Sequence, residues 1–309
     1  MNSIRIIHKF LPKIYCVRKS SSTITIPALV DSYPIEATFF EATLPSSVSS
    51  PICVVISGAT GSRRQFYHPF AKYLNEQHHF HVVTYDYRGT HERKSTPWTL
   101  LEHWAWRDCA GVLSYFSQKY PQVVHVGHSL GGNMHALLPA AINEQVSRIL
   151  LISSANSYLM YHKWNLAFLH TCLALLVLRE PLLWAYGYYP MRSFFRTGVD
   201  LPSDIIRQWA RWSLHRECFV DDNGQLMTAG FNSVKCPVLA LNFVDDEFYT
   251  QQAFDIFTKQ FHRSTHVQTW HLPKGGHFHF FKENQSLELW KESVRFLKTG
   301  DTTPPTLSK

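Results

Sequence analysis

The chain has 309 residues, 45% of them hydrophobic and 17% charged, which is enough apolar material for a large core and unlike a disordered or repetitive chain. Thirty Lys plus Arg against 23 Asp plus Glu leave a formal charge of +7, a mild excess without interleaved basic and aromatic clusters, which argues against a nucleic-acid partner. Six cysteines at 16, 53, 109, 172, 218 and 236 are widely spaced and include no CxxC pair, which argues against a disulfide framework and points to buried thiols in a reducing, cytoplasmic compartment.

Residues 1–22 read as a basic leader: no acid precedes Asp31, and the continuous apolar stretch of a secretory signal is missing. A first core segment, 23–155, follows. "STITIP" and "PIEATFFEA" predict two early strands, "ICVVISG" from Ile52 a continuous apolar strand, and "RQFYHPFAKYLNEQ" a helix with Phe66, Phe70, Tyr73 and Leu74 at helical spacing. Phe80 to Gly89 is the next strand, His103 to Tyr120 the next helix, and "QVVHVG" the strand after it. Apolar strands alternating with helices predict a mostly parallel sheet covered on both faces. "RILLISS" from Arg148 and "CPVLALNF" from Cys236 continue the pattern, but residues 156–234 between them lack it. They are expected to form an inserted, mostly helical cap over the carboxyl edge of the sheet, where open α/β sheets place their ligands.

Within the cap, "LAFLHTCLALLVL" (Leu166 to Leu178) is apolar but covers only roughly 20 Å as a helix, too short for a bilayer core of about 30 Å. It suits a buried helix, a wall of an apolar site or an interfacial patch, so peripheral membrane or lipid contact stays open. The core resumes over 235–299, with a last strand in "THVQTWHLP" and a closing amphipathic helix carrying Leu287, Leu289, Trp290, Val294 and Leu297 on one face. Residues 300–309 read as a flexible tail.

Three residues need one another. "GHSLG" fits G-x-S-x-G, which holds a serine on a sharp strand-to-helix turn, with Gly127 and Gly131 removing side chains where strand and helix close together. Ser129 is protonated at neutral pH without a partner, so a base must lie within hydrogen-bond reach. In this arrangement the acid and then the histidine follow along the chain. "VLALNFVDDEFYT" offers Asp246, with Asp245 as the alternative, and "LPKGGHFHFF" offers His277, with His279 two residues on. Backbone N–H groups of Leu130, directly after the serine, and of Ala59, in "GATG", are the candidate oxyanion donors.

With those residues in view, the chain resembles the α/β-hydrolase superfamily and, more closely, a group of predicted bacterial α/β hydrolases related to serine aminopeptidases and lipases. The resemblance rests on "GATGSRRQFYHPFAKYL", "TYDYRG", "GHSLGG", "GYYP", "DLP" with "QWARW", "DDE" and "GHFHFF", over residues 30 to 298. It implies the same roles: Ser129 as nucleophile, Asp246 as acid, His277 as base. Two departures stand out. Ser57-Gly58 replaces the frequent His-Gly at the oxyanion loop, and "DYRGTHERK" lacks the small residues that commonly follow Asp-x-Arg-Gly, so Asp86 and Arg88 read as a structural turn.

No cofactor or metal is expected: "HHFH" at 78–81 and His262, His266 and His271 lack zinc-site spacing, and there is no P-loop or dinucleotide fingerprint. The expected function is a serine hydrolase that cleaves small carboxylic, lipid-like esters through an acyl-enzyme. Leu166, Phe168, Leu169, Leu173, Leu175, Leu176, Leu182, Leu183, Trp184, Tyr186 and Tyr188 are the candidate apolar lining of its acyl site. An amide-cleaving enzyme, an acyltransferase and a binding module on the same fold are the alternatives, and composition is silent on oligomeric state.

Overall fold

A computed structural model describes residues 21–44, 50–90, 99–192 and 198–304, apart from the side chains of 283–285. The leader up to residue 20 and the last five residues of the expected tail lie outside them.

The apolar runs become eight strands of one sheet: β1 (Ser22–Pro27), β2 (Pro34–Phe40), β3 (Ile52–Ser57), β4 (His81–Tyr85), β5 (Gln122–His128), β6 (Val146–Ile152), β7 (Val238–Phe243) and β8 (Val267–Leu272). Their order is β1-β2-β4-β3-β5-β6-β7-β8. β2 pairs antiparallel with β1 and β4, and every other pairing is parallel. β4 and β7 are buried at every position, as strands covered on both faces must be. Alternation then divides the core into two layers: Cys53 and Val55 of β3 enter one, Val54 and Ile56 the other.

Helices close both layers. α1 (His68–His78) contributes Phe70 and Leu74 to the second layer. α2 (residues 101–117, with a π-helical stretch at Trp104–Cys109) contributes Trp104, Val112, Leu113 and Phe116 to the first. α3 (Leu130–Asn133) is a single turn after β5. Between β6 and β7, in the segment expected to form the cap and so called below, stand α4 (residues 166–177), α5 (Arg179–Tyr186) and α6 (Ser203–Leu214). α7 (Gln251–Thr258) follows β7, and α8 (Glu283–Thr299) packs Trp290, Val294, Phe296 and Leu297 beside α1 before Gly300 ends it at φ 78°. The expected tail begins docked: Trp270 Nε1–H donates to the Thr302 carbonyl at 3.1 Å.

The two departures in sequence find structural roles. Ser57 points beneath the sheet, into a chain whose polarity its ends impose. Asn143 spends its N–H groups on the carbonyls of His135 and Gly230, so its Oδ1 accepts from His135 Nδ1–H (2.7 Å). His135 Nε2 then accepts from His125 Nδ1–H (2.8 Å), His125 Nε2 from the Ser57 hydroxyl (2.7 Å), and Ser57 Oγ from Tyr85 (2.7 Å). Asp86 and Arg88 form no pair with each other. Asp86 takes the backbone N–H and guanidinium of Arg64, while Arg88 bridges Asp31 and Asp108. Each therefore ties its turn to a different element.

Candidate active site

β5 runs straight into α3, and Ser129 at the junction takes φ 52° and ψ −118°. A non-glycine residue adopts that conformation only where its surroundings over-determine it. Here they do. Ser129 N–H is held by the Ile152 carbonyl at 2.9 Å. A Cβ on Gly131 would stand 2.1 Å from the Ser57 carbonyl oxygen, and one on Gly127 2.4 Å from Gly132 Cα. The glycines let the helix press against the sheet, and the bend turns Ser129 toward a cavity of about 1050 Å³ between sheet edge and cap.

His277 lines the same cavity, on the loop after β8. Its Nδ1 lies 2.8 Å from Asp246 Oδ2. A carboxylate accepts only, so the ring donates through Nδ1–H and keeps Nε2 as its free acceptor. Asp246, on the loop after β7, is fully buried. Burial alone would push its carboxyl up, but the charge and hydrogen bond of His277 and the N–H groups of Phe248 and Tyr249 (2.8 and 3.1 Å) outweigh it and hold it below the usual carboxylate range. The structure thus seats Asp246, and not Asp245, on the imidazole. His279 starts a short 3-10 turn with its N–H on the Gly275 carbonyl and stays outside the cavity lining.

The neighbours of Asp246 have their own tasks, which sequence reasoning missed. Asp245 Oδ1 accepts from Gly276 N–H at 2.8 Å, and Glu247 Oε2 from His277 N–H at 2.8 Å. Three consecutive acids therefore hold three consecutive features of one loop. That loop lies close because it is glycine: a Cβ on Gly275 would meet the Phe243 ring at 2.1 Å. The cap grips the acid loop from its other side. Lys163 Nζ donates to the carbonyls of Val244 (2.7 Å) and Asp246 (2.5 Å), and Asn165 Nδ2 to that of Glu247 (2.8 Å). The only sequence signal was the run Asp-Asp-Glu opposite Gly-Gly-His.

Leu130 and Ala59 both border the cavity. The Ala59 N–H is engaged, donating to Tyr67 Oη at 2.7 Å. The rest of that chain follows from its end. The His277 carbonyl can only accept, so His128 donates to it through Nε2–H (2.9 Å), its Nδ1 accepts from the Tyr67 hydroxyl (2.9 Å), and Tyr67 Oη receives Ala59. The Ala59 loop, the Ser129 turn and the His277 loop are thereby joined through the buried side chains of Tyr67 and His128. Burial, helped by the charge of His277, lowers His128 to about 3, so its ring stays neutral and this polarity persists.

Of the candidate acyl-site residues, the cavity is lined by Leu173 and Leu175; Leu182 and Leu183 join the core, while Leu166, Leu169, Leu176, Trp184 and Tyr186 face outward. The remaining apolar wall comes from Phe66, Leu178, Tyr189, Met191, Ile206, Trp209, Phe248 and Phe278, scattered over core and cap. Among the described residues no group of three or more His, Cys, Asp or Glu side chains is placed to hold a metal ion.

A model of the Alpha/beta hydrolase family matches residues 53–287. A search of curated proteins found no match. Among solved structures, an esterase from Exiguobacterium antarcticum is similar at 16% identity and a TM-score of 0.59, over 89% of this chain and 99% of its own. An esterase from Pyrococcus furiosus is similar at 15% identity and a TM-score of 0.57 over 96% of each chain, and a thermophilic esterase from Thermogutta terrifontis at 14% and 0.55, over 90% of this chain and 100% of its own. At these identities the likeness is one of fold.

Proposed function

The chain belongs to the alpha/beta hydrolase family, and on that premise we propose that it is a serine hydrolase acting on carboxylic esters with an apolar acyl chain. The observation that carries the reading is the 2.8 Å contact of His277 Nδ1 with Asp246, which leaves Nε2 as the acceptor of a ring that shares one cavity with Ser129. His277 takes the Ser129 proton as Oγ attacks the acyl carbonyl, then delivers it to the departing alcohol. Water activated by the same ring releases the acid, and Asp246 stabilises the imidazolium in both halves. The Leu130 N–H serves the oxyanion, joined by Ala59 N–H once it exchanges Tyr67 Oη for the substrate oxygen.

Esters are favoured over aminopeptidase substrates because the described residues lining the cavity include no Asp or Glu to receive a substrate ammonium. Apolar chains are favoured by the wall, each buried methylene contributing about 0.8 kcal/mol. A fluorophosphonate probe is expected to label the wild-type chain on the peptide carrying Ser129 and to leave Ser129→Ala unlabelled. Label on another residue, or none on folded protein, rejects the reading. Across a series of acyl esters kcat/KM should rise with chain length, and a flat series removes the apolar-chain assignment. Product analysis with an added alcohol separates hydrolysis from acyl transfer.

A further inference from the structure

The cap carries apolar side chains where none is needed for packing or for the cavity. α4 faces the cavity with Ala167, Leu173 and Ala174, yet its other side presents Leu166, Leu169, Leu176 and Val177 to the outside, and residues Leu166–Cys172 include none that is buried. α5 continues the surface with Trp184, which is 91% exposed. The two arms, Leu166–Val177 and Arg179–Tyr186, meet at 57°. Neither arm alone is long enough to cross a bilayer: the longer reaches roughly 18 Å, against a hydrocarbon core of about 30 Å. An apolar helix pair of this length, bent and carried on one face of a folded domain, suits the interface between headgroups and acyl chains, where a tryptophan ring also settles. The segment is weighted toward cations: between Arg148 and Asp200 the sequence holds Lys163, Arg179, Arg192 and Arg196 against a single acid, Glu180, which pairs with Arg179 and Arg207. Exposed Arg63 and Lys282 stand at the cavity itself.

We propose that the bent pair α4 and α5 is a docking face for an anionic lipid bilayer: Leu166, Leu169, Val177 and Trp184 enter the interface while the flanking cations meet the headgroups. Leu173, which both lines the cavity and is 45% exposed, makes the docking face continuous with the site. Docked, the protein would draw its substrate from the membrane rather than from water. That last step rests on the esterase reading; the docking itself does not.

The test is flotation of the full chain with phosphatidylcholine vesicles, with and without phosphatidylserine. Wild type should float with the anionic vesicles, with a blue shift in tryptophan emission, and binding should weaken as salt screens the cations. The double variant Leu169→Asp, Val177→Asp and, separately, Trp184→Arg should each weaken vesicle binding roughly tenfold or more. Both should keep wild-type turnover of a dissolved short-chain ester, since none of these residues lines the cavity. Equal binding to both vesicle types overturns the anionic assignment. Failure of folded wild type to float overturns the proposal, as does a self-associated wild type that the double variant turns monomeric without any vesicle binding, which would make the patch a contact between two copies. If hydrolysis is absent but flotation holds, the esterase reading fails and the docking face stands.

Discussion

The loops at the carboxyl edge of the sheet and the helices of the cap border one cavity, yet they are built on opposite terms. At the edge, Gly276 N–H, His277 N–H and the His277 ring each meet a carboxylate, and the Ala59 N–H is bound within a closed chain. On the cap, large apolar side chains stand uncovered; α4 sends Leu175 into the core, and Lys163 and Asn165 before it bond to the acid loop. The difference fits the proposed roles. Proton transfer, as proposed for the edge, requires atoms held to a few tenths of an ångström, which saturated hydrogen bonding gives; reception of an apolar chain, as proposed for the cap, requires area without direction.

The largest expected effect breaks the edge. Ser129→Ala and Asp246→Asn should each lower turnover of a dissolved ester by about 10⁴-fold, mainly in kcat, with the unfolding midpoint nearly kept for the serine variant.

Acid should come next. Burial lowers His128 to about 3 and His135 and His162 to about 4, and pushes His125 well below its ordinary value. Below about 6.5 the unfolded chain binds protons that these folded rings refuse, so their contribution to stability is complete above that pH and is lost as the pH falls toward 4. Each imidazole should cost on the order of 1.4 kcal/mol per pH unit in that window, read from urea midpoints at pH 7, 6 and 5. A flat midpoint would show these rings already charged.

Leu239→Ala, in the fully buried β7, should destabilise by about 2–5 kcal/mol. Glu247→Gln keeps an acceptor for His277 N–H but removes its charge, and should lower kcat/KM roughly tenfold with little change in stability. Leu176→Ala, on the exposed side of the cap, should change stability by less than about 0.5 kcal/mol. If Leu176 cost as much as Leu239, the cap would be packed like the core and the contrast would fail.

Much of this was legible along the chain. Runs such as "ICVVIS" and "VLALNF" announce strands buried on both faces, because apolar residues occupy nearly every position, with only Ser57 and Asn242 polar. "GHSLG", a late Asp and a final His come in the order a strand-turn-helix nucleophile requires, and the structure puts Ser129 and His277 on one cavity with Asp246 behind. Illegible were the partners of Asp245, Glu247, Tyr67 and Lys163. Each bonds to a backbone group, far away in sequence for Asp245, Glu247 and Lys163, and a backbone group leaves no mark in residue identity. The cap misled for a related reason. Its leucines show how much apolar surface exists, but a helix apolar on every side does not say which side faces the cavity.

The sequence by itself determined the alternation of strands and helices, the glycines of the serine turn and the chain order of the three candidate catalytic residues, because periodicity and local sterics act over a few residues. Only the tertiary structure decided which acid meets His277, what holds the Ala59 N–H and which leucines stay outside. Those outcomes depend on distances between segments brought together by closure of the sheet, and no local pattern encodes them.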